Sequence, residues 1–115
     1  MKQVFDLATI TAGQQEPAAL FAVTSLGIID SLVAGSLNPT QAVNAFFHGK
    51  NIRFVKSKKS KLGDDRAVEI MGRGAQLADL FDAMPVEEAH REFQHELQAM
   101  KSLCYELLEA ERAAA

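Results

Sequence analysis

Cysteine and tryptophan are among the scarcest residues in this 115-residue chain, which contains one cysteine and no tryptophan. A single cysteine excludes a disulfide framework and a zinc site built from several cysteines. A large charge of one sign is also absent, because 12 Lys and Arg residues oppose 15 Asp and Glu residues and leave a formal net charge of −3. Together with an apolar content of 48%, this balance excludes an intrinsically disordered chain.

Alanine and leucine, by contrast, are abundant: the chain has 18 Ala and 12 Leu against seven Val and five Ile. These numbers favour helix over sheet, because alanine and leucine are strong helix formers whereas β-branched residues prefer strands. The length corresponds to one domain and allows a buried core without disulfides or a metal. We therefore predict a single all-α domain over residues 1–115.

The first strong helix signal covers residues 17–34. Pro17 stands where the first turn of a helix accepts proline, and Gly35 is a common residue just past a helix end. Apolar residues occupy too many positions for a single stripe, so we expect this helix at the centre of the core. Gly27 weakens the middle of the helix, and we interpret it as the mark of a close helix crossing.

A second helix is predicted over 39–48. Asn38 is a good N-cap, and Gln41 can reach back to it as in a capping box. Gly49 is expected to end the helix. Because only residues 35–38 connect it to the preceding helix, the two helices should form an antiparallel hairpin.

Two longer helices, 65–83 and 85–110, are expected to pack against this hairpin. In the first, apolar residues recur at helical spacing, and Gly72 and Gly74 favour a bend in its middle. In the second, the apolar positions form about three heptads, too few for an independent coiled coil but enough for a long packed helix. One set is spaced by sevens and the other lies four residues further on: Val86, Phe93, Met100 and Leu107, then His90, Leu97 and Cys104.

Residues 50–61 are the anomaly in the composition. They hold six of the twelve Lys and Arg residues and no acid, whereas residues 1–49 carry a net charge of −2 and residues 64–115 carry −7. We interpret 50–63 as an exposed basic loop, which leaves open a short β element near 52–56 formed by Ile52, Phe54 and Val55. The six cations are Lys50, Arg53, Lys56, Lys58, Lys59 and Lys61.

The N-terminal residues 1–13 are compatible with a short helix or a strand. They do not favour a signal peptide, because Asp6 interrupts the apolar run. The most apolar stretch, residues 18–34, is shorter than the roughly 20 residues of a membrane span and contains polar side chains, so we expect no membrane insertion. We expect a cytoplasmic protein, and a free Cys104 is consistent with a reducing compartment.

Several of these segments together resemble an uncharacterised family of small bacterial helical domains. The similarity is carried by LGIIDSLVAG (26–35), AVNAFF (42–47) and IMGRGAQLADLFDAMP (70–85), and it would cover about residues 20–108. These motifs are core and capping features. The resemblance therefore implies a helical fold but carries over no catalytic residue, and the basic loop is longer and more cationic than the family pattern.

The chain shows no arrangement of side chains that favours catalysis or metal binding. Two Glu-x-x-His pairs, Glu87–His90 and Glu92–His95, lie on one helix about 140° apart around its axis, so they cannot share a metal ion. We place His90 on a partly buried face of that helix. Cys104 lies on the apolar stripe with no histidine one turn away, which is typical of a structural cysteine. We expect no cofactor, no metal and no enzymatic activity.

The basic segment remains the feature with functional meaning, and three interpretations stay open. It can dock on an acidic partner protein; it can bind nucleic acid, with its cations on phosphates and Phe54 stacking on a base; or it can be a solvated loop that balances the acidic last helix. A sequence pI of about 5.6 is low for a dedicated nucleic-acid-binding protein.

We therefore predict a non-enzymatic protein-interaction module, of the immunity or adaptor type. The alternative is a nucleic-acid-binding regulator that uses the basic loop 50–61. We also predict a homodimer, because Leu103, Leu107 and Leu108 widen the apolar stripe of the last helix beyond what four helices can cover.

Overall fold

The computed structural model describes residues 4–114, which form eight α-helices and no strand. The predicted all-α class is therefore confirmed. The helices are α1 (Leu7–Thr11), α2 (Pro17–Ala34), α3 (Pro39–Ala45), α4 (Gly49–Ser57), α5 (Lys59–Leu62), α6 (Asp65–Ala75), α7 (Leu80–Ala83) and α8 (Val86–Ala114). Of the N-terminal segment 1–13, residues 1–3 lie outside the described part, as does Ala115.

The core is built on the pairing of α2 with α8, the most extensive helix contact in the molecule, and α6 packs against α8 beside it. As predicted, α2 is a central helix: it buries Phe21, Ile29 and Leu32 among others. Its predicted start and end are confirmed, because Pro17 lies in the first turn and Gly35 adopts a left-handed conformation (φ 80°) that only glycine takes without strain. The capping box of Asn38 and Gln41 on α3 is confirmed as well.

The heptad pattern of the last helix is confirmed from Phe93 onward but is wrong at its start. Val86 is 65% exposed and His90 is exposed, whereas Ala89 is buried in their place. A straight helix of 3.6 residues per turn drifts by about 20° per heptad, so one strict heptad frame cannot follow the buried side over the whole length. His90 does not lie on a partly buried face; its ring packs edge-on against Phe81 at 5.1 Å between centroids.

The predicted helix 65–83 is interrupted, but not at its glycines. α6 continues through Gly72 and Gly74 to Ala75, and the break lies in the turn at residues 76–79 before α7. Gly74 serves a packing role, because a Cβ there would lie less than 3.0 Å from the ring of Phe47. Position 74 has room only for the hydrogen of a glycine, because α6 passes directly over the buried ring of Phe47.

The basic loop 50–63 and the β element near 52–56 are both wrong, since these residues form α4 and α5. His48 caps α4 by accepting the backbone N–H of Asn51, so α3 ends at Ala45 rather than at residue 48. Asn51 and Val55 are buried one turn apart on the inner side of α4, and Leu62 is buried at the end of α5. Burial of these three residues stabilises the helical conformation despite the charge of the neighbouring residues, because packing of one face outweighs weak local preferences.

The interpretation of Gly27 as a crossing glycine within the chain is also wrong. It is exposed on α2, and a Cβ added there would meet no atom within 4 Å among the described residues. The apolar stripe of α8, in turn, has no surplus at the residues that motivated the homodimer. Leu107 is buried, and Leu103 and Leu108 pack against the core.

Candidate interaction surface

The six cations of residues 50–61 lie together on the solvent side of α4 and α5, and all six are exposed. We call this set the basic surface: Lys50, Arg53, Lys56, Lys58, Lys59 and Lys61. On α4, positions 50, 53 and 56 follow one another at i, i+3 spacing, about 4.5 Å apart along the helix axis. They lie on the side opposite the buried Asn51 and Val55. The three cations of α4 therefore form a row along one side of the helix and are not distributed around it.

A buried asparagine fixes α4 in place. Asn51 is fully buried, and its Oδ1 accepts the backbone N–H of Leu7 at 3.0 Å. Its Nδ2 donates to the carbonyls of Phe5 and Phe46, each at 2.8 Å. These three hydrogen bonds join the N-terminal segment, the end of α3 and α4, so the helix that carries Lys50, Arg53 and Lys56 is anchored to two other parts of the chain.

Two of the six cations are engaged in ion pairs within the chain. Lys50 Nζ lies 3.0 Å from Asp6 Oδ2, and Lys59 Nζ lies 3.3 Å from Asp65 Oδ1. The hydrogen bond from Lys50 lowers the pKa of Asp6 below its ordinary value. Within residues 4–114, the other four cations have no carboxylate partner within 4.0 Å: Arg53, Lys56, Lys58 and Lys61.

Phe54, which the sequence offers as a base-stacking residue, differs from the cations around it. It is half-buried and packs against the hydrophobic core. Its ring therefore contributes to holding α4 on the domain, and only part of it reaches solvent.

Negative charge is concentrated along α8, whose C-terminal part comes close to the basic surface, since Lys61 and Glu111 line the same small pocket. This helix carries seven Glu against three Lys and Arg residues. Arg73 on α6 neutralises part of it, since its guanidinium lies 2.9 Å from Glu69 and 2.8 Å from Glu96. The two carboxylates raise the pKa of Arg73, Glu69 first through its hydrogen bond. The chain thus has a cluster of cations on α4 and α5 and an excess of carboxylates on α8.

A second feature is a cleft between α2, α3 and residues 4–5, which the sequence analysis missed. It has a volume of about 690 Å³, within the range of small-molecule sites. None of its lining residues is charged: Val4, Phe5, Thr24, Gly27, Ile28, Ser31, Ser36, Leu37, Gln41, Asn44 and Ala45. The signal available in the sequence was the all-round apolar character of α2 together with the glycine in its middle.

The remaining reactive side chains do not converge. Cys104 is fully buried, and burial raises the pKa of its thiol to about 12, so it is protonated at neutral pH. Among residues 4–114 no group of three or more His, Cys, Asp or Glu side chains is placed to hold a metal ion. The only buried side-chain polar atom without a hydrogen-bond partner in that range is Ser25 Oγ.

No family model matches this chain, and comparison with curated proteins and with solved structures finds no match. The resemblance to small bacterial helical domains therefore stays a prediction. By length and composition alone, α2 is the one helix among residues 4–114 that could cross a membrane. In the structure its buried side packs against α8, and seven of its 18 residues are buried.

Proposed function

We propose that this protein is a non-enzymatic interaction module, of the adaptor or immunity type, whose basic surface binds an acidic partner protein. One observation carries the proposal. Four exposed cations on α4, α5 and the turn between them, Arg53, Lys56, Lys58 and Lys61, have no carboxylate within 4.0 Å in the described part of the chain. A charged surface that the chain leaves unneutralised is suited to a partner of opposite charge.

Clustered exposed charge acts mainly on the rate of association. Long-range attraction between a positive and a negative surface steers the encounter of two proteins and raises the association rate constant, most strongly at low salt. Helical support adds to this, because less conformational freedom is lost when the contact forms. The row of cations on α4 suits a partner that presents carboxylates at a similar spacing.

Nucleic acid is the less favoured partner for two reasons. Dedicated nucleic-acid-binding proteins usually have a high pI, whereas the pI of this chain is about 5.6. Phe54 is half-buried against the core, which reduces its use as a stacking platform. The experiment must therefore distinguish the proposed module from the alternative, a nucleic-acid-binding regulator.

The test compares two triple variants with equal net charge. The first, Lys56→Gln/Lys58→Gln/Lys61→Gln, removes three unpaired cations of the basic surface. The control removes three cations of α8. It is Arg91→Gln/Lys101→Gln/Arg112→Gln, and it breaks only the ion pairs of Lys101 with Asp30 and of Arg112 with Glu109, which contribute little to stability. Each variant changes the formal net charge from −3 to −6. A difference in association rate between them therefore depends on where the charge was removed and not on the net charge.

Both variants and the wild type are immobilised and exposed to extract of the source cells, with and without nuclease. Captured proteins are identified, and the association rate of each purified candidate is then measured at 50 and 200 mM salt. The proposal expects an acidic protein that resists nuclease and associates at least tenfold more slowly with the basic-surface variant than with the control. Nuclease-sensitive capture, or equal rates for both variants, would contradict it.

A further inference from the structure

The outward side of α2 is largely apolar: Val23, Gly27 and Ala34 are exposed on it, Leu20 is half-buried, and Asp30 lies about 20° around the helix from Val23. At 100° per residue, Leu20, Val23, Gly27 and Ala34 fall within an arc of about 60° opposite the buried side; we call this arc the outer face of α2. Val23 is 56% exposed. The only charged residue on the exposed part of α2 is Asp30, whose carboxylate lies 3.8 Å from Lys101 Nζ.

No contact within the described part of the chain requires glycine at position 27. In the middle of a helix it costs about 1 kcal/mol relative to alanine. Gly63 and Gly74 are explained by the chain itself, because a Cβ at either would lie less than 3.0 Å from Leu107 or Phe47. A Cβ at Gly27 would meet nothing within 4 Å among the described residues. A glycine at the centre of an exposed apolar helix face instead permits close approach of a second helix.

We propose that two copies of this chain associate through α2, antiparallel about a twofold axis, with Val23 of each copy packed over Gly27 of the other. The two residues are one helical turn apart, about 6 Å along the axis, and point to the same side. When the α2 helix of a second copy runs in the opposite direction and is centred between these two residues, each projecting Val23 faces Gly27 of the other copy, which has no side chain. This contact occurs twice, at places related by the twofold axis. Self-complementarity of this kind is what a twofold interface requires.

The area of the face decides how far the interface must extend. An 18-residue helix is about 27 Å long and about 10 Å wide, so the outer face offers only about 270 Å². A stable dimer buries about 800 Å² per partner. The contact must therefore reach over the uncharged cleft and its rim, where Val4 is 59% exposed and Phe5 is 36% exposed.

Other occupants fit this surface less well. A small neutral molecule could fill the cleft, but it would leave Val23 uncovered, since Val23 does not line the cleft. Helices that lie on a bilayer surface carry lysine and arginine on their polar side, whereas α2 contains neither. A second copy covers both the valine and the cleft. This surface is separate from the basic surface, so the dimer and the proposed function stand or fall independently.

The experiment measures association by sedimentation equilibrium over 1–500 µM (roughly the range in which weak and stable dimers differ). Gly27→Leu fills the gap on the outer face, and Val23→Lys places a charge in the apolar contact. Each has a matched control: Gly72→Leu, at another exposed helical glycine with open space around it, and Val86→Lys, at another exposed helical valine.

Wild type and both controls are expected to approach twice the 12.5 kDa mass of one chain. Gly27→Leu and Val23→Lys are expected to raise the dimer dissociation constant at least tenfold. Gly27→Leu should keep or raise the melting temperature of the monomer, because leucine is the better helix former. That readout separates a lost interface from a lost fold.

Three results would overturn the proposal. One is a wild type that stays monomeric up to 500 µM (roughly a millimolar dissociation constant or weaker). Another is a dimer that all four variants leave unchanged, which would place the interface elsewhere. The third is a monomer that binds neutral lipid vesicles and loses that binding in Val23→Lys, which would assign the outer face to a membrane.

Discussion

The side-chain oxygen of Asn51 accepts the backbone N–H of Leu7 across 44 residues of sequence, at 3.0 Å and fully buried. The same side chain donates to the carbonyls of Phe5 and Phe46. One asparagine therefore satisfies three backbone groups where α1, α3 and α4 meet. It also makes the cationic α4 a structural element, because the residues between the cations hold the N-terminal segment to the domain.

Replacing this asparagine should be strongly destabilising. Asn51→Leu leaves the buried Leu7 N–H and Phe46 carbonyl without their side-chain partner, whereas the Phe5 carbonyl keeps a ring nitrogen of His48 at 3.2 Å. We expect a loss of about 2–4 kcal/mol in the free energy of unfolding. Urea denaturation followed by circular dichroism measures it. Gln98→Leu, at an exposed position of α8, is the control and should change stability by less than about 0.5 kcal/mol. Equal effects at the two positions would mean that the Asn51 network contributes nothing to the fold.

Two glycines of α6 should respond to alanine with opposite signs. Gly74→Ala inserts a Cβ against the ring of Phe47, and we expect it to lower stability by about 1–3 kcal/mol through overpacking. Gly72→Ala meets open space and should raise stability by about 0.5–1 kcal/mol, because alanine is the better helix former. Thermal unfolding of the two variants checks the pair. A double variant that adds Phe47→Leu to Gly74→Ala should be less destabilised than the sum of the single changes.

Cys104 should make stability depend on alkaline pH. Burial raises the pKa of its thiol from the ordinary 9.0 to about 12, so above pH 9 the unfolded chain loses a proton that the folded chain keeps. The contribution is fully present below pH 9 and is lost as pH rises from about 9 to 12, at up to about 1.4 kcal/mol per pH unit.

The measurement for this dependence is the difference in unfolding free energy between wild type and Cys104→Ala at pH 7.5 and 10. The variant removes the titrating thiol but keeps lysine and tyrosine titration as background. We expect the stability advantage of wild type over the variant to shrink at pH 10 (by about 1 kcal/mol). An advantage that is the same at both pH values would show that the thiol is as accessible in the folded chain as in the unfolded one.

The cations of the basic surface should matter little for stability. Lys56→Gln/Lys58→Gln/Lys61→Gln changes exposed side chains without an ion-pair partner among residues 4–114. We expect the unfolding free energy to shift by no more than about 1 kcal/mol. Val55→Ser, which alters a fully buried side chain of the same helix, should cost several times more. If the triple variant unfolds instead, the cations themselves hold α4 and α5 in place.

Local signals in the sequence were sufficient for the all-α class, the bounds of α2, the N-cap of α3 and most of the buried side of α8. These features depend on helix propensity, capping residues and the period of apolar positions, all of which act over a few neighbouring residues. The sequence also identified Lys50, Arg53, Lys56, Lys58, Lys59 and Lys61 as the chain's unusual charge cluster. For these features the chain alone was enough.

Tertiary structure determined the features that local sequence patterns left open or predicted wrongly. Residues 50–57 and 59–62 are helical because Asn51, Val55 and Leu62 pack into the core, and a composition dominated by cations concealed that spacing. Gly74 is required because α6 lies on Phe47, and Gly27 faces a cleft because no part of the described chain crosses it. Close approach, burial and three-way hydrogen bonding depend on residues far apart in sequence, so only the folded chain brings them together.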